Sequence, residues 1–313
     1  MPSCPTQLRW QQIHFFYVAR LLRGKNLRGQ STIGSVRLVP SFRILPLTVA
    51  LSLALCARAE DPAAKGRRIV MDSLAALGGD RFLHMADRIE EGRAYSFYNE
   101  NLSGLSKAKI YVRYLVAPEP PVTAFMGQRE RQVFGKDETA YVLFDEKQGY
   151  NVTYRGAKPY SATDYERYRE SLLHNVLYIL RMRLNEPGMS FESRGTELYN
   201  NVPVDSVEIA DADNRSVTVY FEQSTHYPVR QMWFRRNPIS RERDEEVTVF
   251  SKFRESNGVY WPWVTQRERN GGRVYEMFSE SVTFNTGVTD EKFMLPASTK
   301  IIEGPNVMPG RKK

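Results

Sequence analysis

Cysteine is nearly missing from this 313-residue chain: Cys4 and Cys56 are the only two, and no thiol occurs after them. A disulfide framework, or a metal or nucleophilic site built on cysteine, is therefore excluded from the rest of the sequence. Histidine is almost as scarce, with four in all. Of these, His84, His174 and His226 lie beyond the N-terminal region, and no two of them stand at metal-ligand spacing. Neither a G-x-S-x-G elbow nor a phosphate-cradling glycine loop occurs. Catalysis would have to come from a triad of distant residues, so a hydrolase is the least favoured function and the chain reads as a non-enzyme. Nothing in the sequence requires a cofactor or a metal.

Acidic residues are absent from positions 1–59, which carry eight basic ones: Arg9, Arg20, Arg23, Lys25, Arg28, Arg37, Arg43 and Arg58. The whole chain has 44 Lys+Arg against 36 Asp+Glu, a net charge of +8; without those eight the balance is 36 against 36. The basic excess thus belongs to the leader. Beyond it no basic block remains to track a phosphate backbone, and nucleic acid is not an expected partner.

Long apolar runs are lacking too. The longest, Ile44 to Cys56 (ILPLTVALSLALC), falls short of the roughly 20 residues a membrane span needs. Between Arg43 and the small-x-small triplet Ala57-Arg58-Ala59 it reads as the core of a secretory signal. Residues 1–59 are then a leader, the mature chain begins at Glu60, and the destination is the periplasm. A signal peptide seldom carries about 40 residues ahead of its apolar run, which puts the translation start near Val39. Two alternatives stay open. One is a retained N-terminal anchor. The other is lipidation at Cys56 and anchoring at the outer membrane, although Leu55 stands where a small residue is wanted.

What the sequence does contain is two kinds of period. Ser161 to Asn185 is the one long helical pattern amid strands. Thr163 and Glu166 form a T-x-x-E capping box. Leu172, Leu173, Val176, Ile179, Leu180 and Leu184 make an apolar stripe, with Arg167, Glu170, His174, Arg181 and Asn185 opposite. On that polar side His174 is expected to be solvated. Pro187-Gly188 ends the pattern. An earlier helix, Lys65 to Leu77, is closed by Gly78-Gly79.

Elsewhere the period is two. In Lys107–Val116, Ala108, Ile110, Val112, Tyr114 and Val116 share one face, with Lys107, Lys109 and Arg113 on a wet one. Further strands are expected over 128–134, 139–144, 150–155, 190–198, 202–209, 216–221, 229–236, 246–253, 259–269 and 273–284. Turn signals at Asn200-Asn201, Asp213-Asn214, Asn257-Gly258 and Asn270-Gly271-Gly272 separate the later ones. The pattern is mainly β with α: a single curled antiparallel sheet, an open or incomplete β-barrel, with helices packed in its concave face. It spans one domain, 60–297, with a loosely held extension, 298–313, after it.

Four stretches carry a family resemblance: Leu77-Gly78-Gly79 before a long strand; Tyr227-Pro228-Val229-Arg230 opening another; Gly258-Val259-Tyr260-Trp261-Pro262; and Asn285-Thr286-Gly287-Val288-Thr289-Asp290, with Phe293 and Leu295-Pro296 after it. In order and spacing, over most of residues 65–297, the chain resembles the LolA-like superfamily of periplasmic, outer-membrane lipoprotein-sorting carriers. The resemblance implies an unclosed barrel with helices in its mouth, a lipid or lipoprotein acyl chain held noncovalently, and an envelope membrane receptor as a further partner. Related members serve instead as envelope-stress sensors or interaction modules, which is the alternative function.

A curled sheet encloses more volume than one or two helices fill, and the aromatic-rich last third of the chain lies around that volume. The candidate apolar lining is Leu173, Val176, Leu177 and Leu180 from the helix. Phe221, Trp233, Phe250, Trp261, Trp263 and Phe278 join them from the strands. Three Arg-Glu-Arg triplets, Arg129–Arg131, Arg241–Arg243 and Arg267–Arg269, read either as a basic track for lipid headgroups or, more simply, as cross-strand ion pairs on a wet face.

Overall fold

The computed structural model describes residues 60–136, 138–237 and 240–302. The signal-peptide reading, both cysteines and the end of the extension lie outside the described residues. Helix α1 (Pro62–Leu77) starts on an Asp61 cap that accepts from the Ala64 N–H, and it stops at Gly78 and Gly79 as the sequence predicts. A single turn, α2 (Asp80–Leu83), comes next.

The chain then lays down six strands: β1 (Asp87–Tyr98), β2 (Asn101–Tyr114), β3 (Gln128–Phe134), β4 (Ala140–Phe144), β5 (Gly149–Thr153) and β6 (Gly156–Pro159). After the helical segment come β7 (Ser190–Tyr199), β8 (Val202–Ala210), β9 (Ser216–Glu222), β10 (Pro228–Arg236), β11 (Arg243–Ser256), β12 (Val259–Arg269) and β13 (Gly272–Phe284). All thirteen belong to one antiparallel sheet ordered β6-β5-β4-β3-β2-β1-β13-β12-β11-β10-β9-β8-β7, so the last strand closes onto the first while β6 and β7 remain edges. This is the expected curled, unclosed sheet.

Two glycines set how closely elements approach. A Cβ on Gly66 would stand 2.6 Å from the Phe191 carbonyl oxygen, so only glycine lets α1 lie on β7. Gly78, at φ 127°, meets the Gly258 carbonyl in the same way, which holds the end of α1 against the β11–β12 turn.

The long helix expected over 161–185 is broken. Helix α3 (Ala162–Leu173) ends at His174, Asn175 is extended, and a short α4 (Val176–Tyr178) runs into a π turn (Ile179–Arg183). The start differs as well. Ser161, not Thr163, is the cap; its hydroxyl accepts from the Asp164 N–H and donates to the Asp164 carboxylate. Side chains take over the backbone groups freed at the break. Asn175 Oδ1 accepts from the N–H groups of Leu177 and Tyr178, and Gln231 Oε1 accepts from Val176 N–H at 2.8 Å. The apolar stripe divides with the helix. Leu172 and Leu173 pack with Met126 and Tyr178, while Val176, Leu177, Ile179, Leu180 and Leu184 join the main core with α1, α2 and strands β7–β13.

The break is fixed by a buried cation. Arg183, 2 % exposed, donates Nη1 to the Leu173 carbonyl at 2.7 Å, Nε and Nη2 to Glu186 at 2.6 and 2.8 Å, and Nη2 to Asp211 at 2.7 Å. Glu186 also accepts from the Ala124 N–H at 2.6 Å, and Asp211 accepts from Arg215 at 2.8 Å. Burial alone would raise the Asp211 carboxyl, but hydrogen bonds from Arg183 and then Arg215 outweigh it and hold it at about 2.

The face of β2 expected to be wet is covered. Tyr111, Val133, Tyr141 and Leu143 form a second core with Phe293, Val288 and Leu295 from the segment after β13. Asp87 anchors that segment by accepting from Thr286 N–H and Oγ1, Gly287 N–H and Val288 N–H. Beyond Pro296 the chain is not loose as far as it is described: Ala157 of β6 donates to the Lys300 carbonyl and accepts from the Ile302 N–H.

Arg183→Met is expected to leave the buried Glu186 charge without its ion-pair partner, with Asp211 still held by Arg215, and to cost about 3–5 kcal/mol. Arg194→Met, which removes an exposed pair with Glu208, should cost under about 1 kcal/mol. Urea unfolding of both variants measures the contrast, and similar midpoints would refute the clamp.

Candidate functional site

Where α3 and α4 lie over the concave face, a cavity of about 200 Å³ remains. Its walls include Arg88 from β1, Tyr114 from β2, Gln128, Glu130 and Gln132 from β3, Tyr168 and Leu172 from α3, Asn175 and Leu177 after it, Gln231 and Trp233 from β10, Thr248 from β11, and Trp261, Thr265 and Arg267 from β12. A second space of about 130 Å³ adjoins it and shares Arg88, Asn175, Leu177, Trp261 and Thr265. This one is more apolar, with Ile110, Phe250, Pro262 and Met277. A wider groove of about 650 Å³ separates the β1–β2 and β12–β13 turns, but none of its lining residues is buried.

The main cavity is polar because alternate positions of the inward strands are polar. Register places Glu130 opposite Val112, which in turn faces Arg88. Arg88 is ion-paired with Glu90, which also accepts from Ser279, and its guanidinium lies 4.5 Å from the Trp261 ring. Glu130 accepts from Gln128, Gln132 and Tyr168. Burial, reinforced by Glu130, pushes the Tyr168 phenol well above its ordinary value, so it stays a donor. Its ring stacks on Phe144 at 3.7 Å. Burial likewise raises Tyr275 beside Glu90. None of these buried groups resembles a nucleophile with its base, and no group of three or more His, Cys, Asp or Glu side chains among the described residues could hold a metal.

This open antiparallel sheet with helices in its concavity matches a solved protein of the DUF1329 family from Desulfovibrio piger at TM-score 0.52, over 75% of this chain and 98% of that one, at 11% identity. The fold is LolA-like. A LolA superfamily protein from Nitrosomonas europaea aligns over 74% of this chain and 97% of its own at TM-score 0.48 and 10% identity. No protein-family model matches the sequence, and no curated protein matches it significantly. No described helix is long and apolar enough to cross a membrane.

In this LolA-like concavity the sequence-predicted lining is only partly assembled. Leu177, Trp233, Phe250 and Trp261 border the two spaces. Val176, Leu180 and Phe221 are packed in the main core, and Leu173 is packed with Met126. Trp263 sits half-buried under the Arg254 guanidinium at 4.5 Å. Phe278 lies beside inward-facing Met277 on the other face of β13, 36 % exposed and edge-on to Tyr95.

Alternation hides the polar wall, because Gln128, Glu130 and Gln132 alternate with Arg129 and Arg131, so neither face of β3 reads as apolar. The signal that could have found it is a strand with two polar faces inside a sheet with no spare wet side.

His174 is the clearest correction. It is not solvated surface but 6 % exposed, stacked on Trp233 at 4.1 Å, with Nδ1 on the Glu170 carbonyl. Burial, helped by nearby Arg183 and Arg215 and opposed by the Glu170 carbonyl and Asp211, lowers its pKa from 6.5 to about 4. The folded state therefore holds it neutral. Above pH 6.5 both states are neutral and this contribution is intact; as pH falls the unfolded chain binds the proton first, and stability is lost until pH passes about 4. Relative to His174→Gln, the wild type should lose up to roughly 1.4 kcal/mol per pH unit in that window. Denaturant unfolding from pH 7 to 4 measures the difference, and parallel profiles would refute it.

Proposed function

We propose that this chain is an exported, noncatalytic protein of the cell envelope that binds an amphiphile, a lipid or the acyl chain of a lipoprotein, in the concave face of its sheet. The observation that carries this reading is the paired lining under α3 and α4: a polar space of about 200 Å³ beside a more apolar one of about 130 Å³, the two sharing Leu177 and Trp261 in their walls. A molecule with a polar end and an apolar end fits that gradient. Both volumes are below the roughly 300–1,000 Å³ of common ligand sites, so an acyl chain enters only as α4 and the π turn move aside. The extended residue Asn175 is a natural hinge for such a movement. The periplasm as its compartment is supported by the leader, and a part in outer-membrane lipoprotein sorting by the resemblance of the four sequence stretches.

The second reading, an envelope sensor or interaction module of the same fold, is favoured by a different observation. Val176, Leu180 and Phe221 are at most 1 % exposed, so the part of the interior they occupy is already full.

Tryptophan emission distinguishes the two. Lipid-free protein titrated with amphiphiles of increasing chain length should respond saturably at one or a few molecules per chain. Affinity should rise by up to about fourfold per added methylene, since each buries roughly 0.8 kcal/mol of apolar surface. An unsaturable response, or none, would leave the sensor reading in place.

A further inference from the structure

The Arg-Glu-Arg triplets behave differently from one another. Arg129 is paired with Glu146 and Asp290, Arg131 lies 3.6 Å over the Tyr141 ring, Arg243 lies 4.2 Å over Phe234, and Arg269 is paired with Glu246 at 2.8 Å. Arg267 has no ion pair and no side-chain hydrogen bond among the described residues, and yet it lines the cavity. The pairing of β12 with β13 shifts register between Arg267 and Glu268, an irregularity of the kind that re-aims a side chain. Across the strands its register partner is Tyr275, whose phenol is held neutral by burial. Arg267 is exposed, so it stands at the mouth, while Arg88 is held inside by Glu90.

We infer that the cavity selects amphiphiles with an anionic headgroup, a phosphate or a carboxylate, and that Arg267 is the residue that receives the anion. This rests on the amphiphile-binding reading above. A guanidinium at a pocket mouth, with its donors uncommitted, matches the oxygens of a phosphate or carboxylate in pairs. Thr265 and Thr248, which line the same cavity, add neutral hydrogen-bonding groups. The carboxylates facing the space are Glu90 and Glu130. Glu90 is occupied by Arg88 and Ser279, and Glu130 by Gln128, Gln132 and Tyr168. Glu130 repels an anion from the inner wall, which keeps the headgroup at the mouth and directs the chain towards Leu177 and Phe250.

The test compares three probes on the lipid-free protein: an alkyl phosphate, a neutral alkyl glycoside of the same chain length, and inorganic phosphate. The alkyl phosphate should bind roughly tenfold or more tightly than the glycoside. Arg267→Gln should abolish that preference without weakening the glycoside, and Arg269→Gln, whose charge is already paired, should retain it. Because both arginines are exposed, circular dichroism of the variants is expected to match the wild type. Equal binding of the two amphiphiles, or a preference that survives Arg267→Gln, overturns the headgroup inference and leaves amphiphile binding standing. Inorganic phosphate binding as tightly as the alkyl phosphate, with no binding of the glycoside, overturns the lipid source and identifies a free-anion site. If no probe binds, both readings fail.

Discussion

The guanidinium of Arg183 is the constraint on which the helical segment depends. Burying an ion costs several kcal/mol unless its donors are met, and here the donors are met by two carboxylates and one main-chain carbonyl. Those three acceptors come from separate parts of the chain: Glu186 after the π turn, Asp211 beyond β8, and Leu173 at the end of α3. The loop at Ala124 is added through Glu186. One side chain therefore fixes where α3 stops, and that stop positions the next residues. His174 falls onto Trp233, Asn175 becomes the cap of α4, and Gln231 receives the amide of Val176.

The broken helix also divides the concavity. The half beneath α4 and the π turn is closed by aliphatic packing with α1 and α2. The half beneath α3 stays open over a wall whose inward positions on β1, β3, β10, β11 and β12 include the polar Arg88, Gln128, Glu130, Gln132, Gln231, Thr248, Thr265 and Arg267 beside Trp233 and Trp261. An amphiphile would meet a fixed polar wall on one side and, on the other, a roof held by a few side-chain hydrogen bonds and the Arg183 clamp.

Much of the architecture was legible in the sequence. Period-two alternation in Lys107–Val116, the Gly78-Gly79 stop and the asparagine-rich turns led to the curled antiparallel sheet, and the structure has it. The Asn285–Asp290 stretch that carries part of the LolA-like resemblance has a physical role, since it wraps the Asp87 carboxylate and leads Phe293 onto the convex face. The helix break was not legible, because the stripe from Leu172 to Leu184 is continuous in helical period. Helical period does not reveal that Arg183 is buried, because one of its partners, Asp211, lies far along the chain. The site suffered from the same limitation. Alternation assigns polar residues outward, and Gln128, Glu130, Gln132 and Arg267 point inward because the sheet curls around them. For the aromatics, Trp233, Phe250 and Trp261 reach the cavities, as does Leu177, whereas Phe278 falls on the other face beside a register shift at Glu91–Gly92 of the neighbouring strand.

The central claim is that the concave face of this LolA-like sheet holds an amphiphile in the cell. Native mass spectrometry of the protein released from its own envelope without detergent tests it most directly. The expected spectrum shows a population carrying one non-protein mass per chain, lost on collisional activation and extractable as a lipid or acylated molecule. A preparation that shows only the bare polypeptide mass under the same gentle conditions would contradict it.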